Sequence, residues 1–157
     1  MTCVKPPGAS RPHLKRGAAL PVALLVAVAA AAAPPKAAAP AAGHPAIGVW
    51  RTEYRDGCVE TYYLHGDGTI VHTSGEAVSR GVYSVSAHPA GNGAFVLVER
   101  PAQSNGRPDC GGAVTTAGGA AALYVFFDPE HQQMLACYDG AGRQCFGPLL
   151  RMDGPAT

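Results

Sequence analysis

From Gly48 to Arg151 the chain alternates short runs of β-branched and aromatic residues with glycine-containing turns. GVWRTEY ends at Asp56-Gly57, CVETYYLH at Gly66-Asp67-Gly68 and TIVHTS at Gly75; RGVYSVS, AFVLVER, AALYVFF, QMLACY and QCFGPLLR follow. Runs of this length and composition, punctuated in this way, predict strands joined as a meander of hairpins. No stretch in this region sustains a helical period. The expected fold is all-β, an antiparallel meander of about eight strands that forms a small barrel or sandwich.

Alternation assigns faces only in part. In CVETYYLH, Val59, Thr61, Tyr63 and His65 share one face and Cys58, Glu60, Tyr62 and Leu64 the other, so neither side is cleanly polar. AFVLV and ALYVFF are apolar on both faces, which suits central strands with core on one side and a loop or partner on the other. Between Arg100 and Ala121 lies a long patternless stretch that contains Cys110, with a short strand expected at Ala113 to Thr116. A loop of that length in a compact domain is a candidate binding rim or a surface insertion tied down by a disulfide.

The segment ahead of this region changes how its cysteines are read. Lys5, Arg11, Lys15 and Arg16 form a basic start without an acidic residue, and Gly17 to Ala33 runs without a charge. This is the order of a secretory signal, expected over residues 1–33, with cleavage after Ala32 or Ala41. A retained membrane anchor is the alternative, but a helix of that length reaches only about 25 Å against a hydrocarbon core of about 30 Å, and Pro21 interrupts it. Residues 34–45, rich in proline and alanine, read as a linker. The folded domain is expected over 46–152, with a tail at 153–157. The expected location is exported, periplasmic or extracellular, with no stable membrane span after cleavage.

After the leader and linker the charge balance reverses. Seven arginines face eleven carboxylates and no lysine, a net charge of −4, which disfavours nucleic acid as a partner. Cys58, Cys110, Cys137 and Cys145 remain, an even count that in an exported domain reads as two disulfides. Cys137 and Cys145 flank Asp139-Gly140 and Gly142, turn formers that would bring the two across a hairpin, which leaves Cys58 with Cys110. Loops of these lengths imply roughly 3 and 4 kcal/mol of stabilisation. Zinc is the rival reading, but no paired C-x-x-C spacing supports it.

Candidate chemistry is sparse. His65, Asp67 and His72 surround one hairpin and have ligand character, yet Asp67 sits in a turn where a local backbone role is expected. Glu53 and Glu60 could approach as a carboxylate pair, with Arg51 and Arg55 as ordinary ion-pair partners. No G-x-S-x-G elbow exists, and the serines from Ser74 to Ser86 lack a histidine and acid relay. Oxidised cysteines are not nucleophiles. No catalytic residue, metal site or cofactor is expected, and the protein is read as a non-enzyme.

Gly48-Val49-Trp50 resembles the G-x-W that opens the first strand of lipocalins and related small barrels. The resemblance implies that Trp50 plugs one barrel end beneath Arg151 of the last strand, and that the barrel holds a small apolar or amphipathic ligand. The series GVWRTEY, DGCVETY, DGT, DCG and CFGPL also resembles small exported bacterial proteins, a likeness that brings no activity with it. A ligand-binding module is the first expectation, its ligand-contacting residues not identified by the sequence. The alternative is a cell-envelope protein-interaction module such as a hydrolase inhibitor, since periplasmic lysozyme inhibitors are similarly small, exported, disulfide-bonded β-barrels. A hollow barrel would favour a ligand, and a filled barrel with a protruding loop a protein partner. Oligomeric state is not legible.

Overall fold

The computed structural model describes residues 38–152. The leader expected over 1–33, the start of the linker and the tail at 153–157 lie outside the described residues. Eight strands follow one another: β1 (Gly48–Glu53), β2 (Val59–Leu64), β3 (Thr69–Ser74), β4 (Ala77–Val85), β5 (Phe95–Ser104), β6 (Ala121–Phe127), β7 (Gln133–Cys137) and β8 (Cys145–Arg151). Each pairs antiparallel with the next, and β8 returns to β1 through Trp50 opposite Arg151 and Arg51 opposite Leu150, which closes the barrel. The fold is therefore the all-β meander that the strand pattern predicts, with closure rather than a split into two sheets. Closure leaves no pair of free sheet edges to protect.

The turns form where the sequence supplies turn chemistry. The Asp67 carboxylate accepts from the Thr69 amide at 2.9 Å, and Asp139 accepts from Ala141 at 2.9 Å. Two strands are longer than their apolar runs. A register shift at Arg80/Gly81 lets β4 and β5 pair as far as Ser79 with Ser104. Gly81 is required at that shift, because a Cβ there would run into the backbone of Arg100 and Pro101. The short strand expected at Ala113 to Thr116 is instead a single bridge between Pro108 and Val114, since the loop turns back on itself at Asp109.

Period-two alternation sends one set of side chains inward. Trp50, Leu64, Ile70, Leu97, Val125, Met134, Ala136 and Leu149 are almost wholly buried and form one core with Tyr62, Tyr83 and Leu123. The ambiguous faces of β2 resolve accordingly, with Glu60, Tyr62 and Leu64 inward and Tyr63 outward. On the outside of β6, Tyr124 and Phe126 are met by Gly140 and Gly142 of the β7–β8 loop, so a loop covers the second apolar face.

Two disulfides fasten the same end of the barrel. Cys58 bonds Cys110 and Cys137 bonds Cys145, the pairing expected from spacing. The first ties the middle of the β5–β6 loop to the start of β2. No helix among the described residues is long and apolar enough to cross a membrane. Disulfides of this kind fit an oxidising compartment.

Candidate functional site

Because every strand reverses direction, the loops sort into two ends. At one end lie the segment before β1 and the β2–β3, β4–β5 and β6–β7 connections, and this end is sealed. Trp50 is 0% exposed, and its indole N–H donates to the Ala46 carbonyl at 2.8 Å. Arg151 stacks on it, with the guanidinium carbon 4.3 Å from the ring centre. The same guanidinium group donates to the carbonyls of Ile47 at 2.9 Å, Pro45 at 2.6 Å and His131 at 2.7 Å. His44 packs beneath, edge-on to Phe95 and bonded to the Ser86 carbonyl at 3.1 Å, so the chain joins the packed body by His44.

The other end carries the β1–β2, β3–β4, β5–β6 and β7–β8 connections and is open. A cleft of about 710 Å³ is lined there by Tyr54, Arg55 and Asp56 of the first connection, Glu60 and Ser74 of the wall, Asp109 to Gly111 of the long loop, and Tyr138. The Cys58–Cys110 disulfide and a bond from the Cys110 amide to Ser74 Oγ at 3.0 Å hold the long loop over it. The barrel is thus filled at its sealed end and concave at its mouth, a combination that neither simple outcome of the hollow-or-filled test describes.

Glu60 lies near the floor of the cleft and is 7% exposed. It accepts hydrogen bonds from the hydroxyls of Tyr54 and of Tyr62, the latter at 2.9 Å, and contacts His72 Nε2 at 2.7 Å. The Tyr62 and His72 rings stack with centroids 4.1 Å apart. Burial alone would raise the Glu60 carboxyl; the bonds from His72, Tyr54 and Tyr62 outweigh it and hold the group below its ordinary value. Burial, then the hydrogen bond to Glu60 and the charge of that carboxylate, push the Tyr54 phenol well up, so it stays a donor.

Glu99 of β5 shares the inward face with Phe95 and Leu97. Its Oε1 is buried without a hydrogen-bond partner. Burial raises its carboxyl, His72 opposes that, and Glu60 adds to it.

The candidates drawn from the sequence separate in space. His65 and Asp67 lie in the β2–β3 turn at the sealed end, whereas His72 points into the barrel against Glu60. Among the described residues no group of three or more His, Cys, Asp or Glu side chains is placed to hold a metal ion. Glu53 and Glu60 do not meet as a pair: Glu53 is exposed and lies 3.8 Å from Arg51, while Glu60 faces inward. The arginine partner expected for Glu60 is also replaced, by His72, because adjacent inward positions on β2 and β3 bring those two side chains together and Arg51 points outward. Tyr54, Ser74 and Tyr138 line the cleft and are not singled out by strand patterning. Glu99 is not among the lining residues, but its inward direction is legible, since alternation from Phe95 through Leu97 carries a carboxylate to the inside.

A groove of about 540 Å³ also runs along the outer face of the β1–β8 seam, lined by Arg51, Glu53, Pro148, Leu150 and Met152 among others. It lacks a buried polar floor. Comparison with family models, curated proteins and solved structures finds no match to this chain, so the likeness to lipocalins rests on the closed eight-stranded barrel and on the Trp50–Arg151 contact.

Proposed function

We propose that this protein is an exported, non-catalytic binding module of lipocalin-like form that takes a small amphipathic ligand at the open mouth of its barrel. The observation that carries the reading is the cleft itself: about 710 Å³, within the range of small-molecule sites, with aromatic walls and a fixed carboxylate at its floor. Tyr54 and Tyr138 offer ring surface to an apolar part of the ligand. Glu60, already oriented by three donors, retains acceptor capacity for a polar end. The apolar interior is occupied by the protein's own side chains, which moves the expected ligand from the barrel axis to the mouth.

A second reading has one observation in its favour. Tyr138 stands on the rim at 66% exposure, and tyrosine is a residue type enriched in protein interfaces, so the mouth could receive a loop of an envelope protein. Amide NMR of the uniformly labelled mature domain, titrated with small amphipathic compounds, tests the first reading. Shifts confined to Tyr54 to Glu60, Ser74, Asp109 to Gly111 and Tyr138 are expected. Shifts confined to the β1–β8 seam, or none with any compound, would overturn it.

A further inference from the structure

We propose that the ligand of the mouth is a neutral saccharide, stacked by one ring face on Tyr138 and held through its hydroxyls by Arg55, Asp56 and Asp109. The inference rests on the mouth-binding reading and names the chemistry that the lining selects. Its starting point is the make-up of the walls. Among the described residues no leucine, isoleucine, valine, methionine or phenylalanine lines the cleft. Apart from two tyrosine rings and a disulfide, the walls are carboxylates, a guanidinium, a hydroxyl and backbone. A hydrocarbon chain finds no apolar wall there, and the barrel behind is filled by the core. Covering the charged groups with apolar surface would cost their hydration. Hydroxyls replace that water bond for bond.

The charges of the lining select against a bare ion of either sign. Arg55 stands among the carboxylates of Asp56, Glu60 and Asp109, so an ammonium meets a guanidinium and an anion meets three acids. Arg55 is exposed and takes part in none of the described ion pairs. Asp56 anchors Oδ1 on the Cys58 amide at 3.1 Å, and Asp109 anchors Oδ1 on the amides of Gly111 and Ala113, both at 2.8 Å. Each carboxylate is thereby oriented, with its second oxygen left to accept. A hydroxyl is both donor and acceptor, so it suits a carboxylate and a guanidinium alike without carrying charge. Neighbouring hydroxyls on a sugar ring match the two-pronged geometry of both groups.

Tyr138 supplies the apolar half of the recognition. Its ring is steadied by Phe146, with centroids 5.5 Å apart, while the residue stays 66% exposed beside the cleft. The electron-rich face of an aromatic ring attracts the C–H groups on one side of a pyranose. The rim that carries Asp109 is held in place by the Cys58–Cys110 disulfide and by the bond from the Cys110 amide to Ser74. A rim already ordered loses little freedom on binding, which suits a ligand whose individual hydrogen bonds are weak.

Cellobiose, maltose and chitobiose with their tetramers, beside phenethylamine and 3-phenylpropionate as charged amphipaths without hydroxyls, make the test. Each is titrated into the disulfide-intact mature protein with amide NMR as the readout. At least one sugar series should shift Arg55, Asp56, Asp109 to Gly111 and Tyr138 more strongly than either phenyl compound, and equally at about 0.02 and 0.5 M salt, because a neutral ligand is not screened. Affinity that rises from dimer to tetramer assigns the site to a polysaccharide chain, and equal affinity assigns it to a free small sugar. Tyr138→Ala and Arg55→Ala, both at exposed positions, should fold and should each weaken that sugar. For Tyr138→Ala the loss should be about tenfold or more, or about 1.4 kcal/mol, and for Tyr138→Phe, which keeps the ring, much less. If the phenyl compounds shift the cleft residues and no sugar does, or if sugar binding survives Tyr138→Ala intact, the saccharide inference is wrong and the mouth-binding reading stands. If no compound of either kind shifts them, both fail.

Discussion

The Arg151 guanidinium lies over the Trp50 indole, 4.3 Å from carbon to ring centre, and Gly48 is what leaves it room. A Cβ on Gly48 would stand 2.5 Å from an Arg151 nitrogen, and the residue has φ of 148°. Gly48, Trp50 and Arg151 are one structural unit at the barrel seam, where β1 and β8 are held by only a short ladder. Trp50→Ala should cost roughly 3 to 5 kcal/mol, the range for truncating a buried aromatic. Gly48→Ala should cost about 1 to 3 kcal/mol through strain and displacement of Arg151. Urea unfolding followed by circular dichroism measures both. A Trp50→Ala protein of undiminished stability would show that the indole does not plug the barrel.

The Cys58–Cys110 disulfide closes a loop of separation 52 and also holds the rim of the cleft. On the chain-entropy model its loss costs about 4 kcal/mol. Cys58→Ser/Cys110→Ser should therefore lower stability by an amount of that order and weaken any ligand of the mouth. Opening Cys137–Cys145, whose separation is 8, should cost less, about 2.5 kcal/mol. Comparing the midpoints of the two double variants under non-reducing conditions checks the order.

Stability should fall on mild acidification because of His44. Burial, opposed by the Ser86 bond, holds its imidazole below the ordinary 6.5. The unfolded chain then binds a proton that the folded one refuses, so the contribution is complete above about pH 6.5 and is lost as pH falls through the folded value. The neutral ring fits its bonds, Nδ1 accepting from the Ala46 amide at 3.1 Å and Nε2 donating to Ser86. Urea midpoints between about pH 5 and pH 7.5 should slope downward toward acid in the parent and lie flat in His44→Phe.

Glu60 gives a second, lower limb. Its carboxyl lies below the ordinary 4.5 in the fold, so it stabilises above that value and the stabilisation disappears as pH falls through the folded pKa. Glu99, raised in the fold, acts in the opposite sense and favours the folded state below 4.5, an effect lost as pH rises. Glu60→Gln should shrink the acid limb below about pH 4.5, and Glu99→Gln should deepen it relative to neutral pH. Glu60→Leu should cost about 3 kcal/mol or more, because it leaves the Tyr62 hydroxyl and His72 buried without an acceptor.

Export has a direct readout. Intact-mass analysis of the native protein should show loss of the basic and apolar leader, with a new N-terminus at Ala33 or Ala42. A native mass that retains Met1 to Ala30 would overturn the expected cleavage.

The strand content is legible in the sequence because it is local. Runs such as TIVHTS and AALYVFF carry the β preference, turn pairs such as Asp67-Gly68 before β3 and Asp139-Gly140 between β7 and β8 mark where strands stop, and together they place six of the eight strands to within a residue or so at each end. Cys137 and Cys145 are equally local, paired across one hairpin. What the sequence could not determine depends on which distant strands become neighbours. Barrel closure brings β8 to β1, and only then does Arg151 meet Trp50 and the carbonyls of Pro45 and Ile47. Alternation alone offers two faces for β2; curvature around a common axis chooses the one with Glu60, Tyr62 and Leu64, and so converts Glu60 from a surface acid into the floor of a cleft. His72 changes from a hairpin metal candidate to the partner of that acid for the same reason. A side chain's direction is set by strand period, but its partner is set by closure, and closure is a property of the whole sheet.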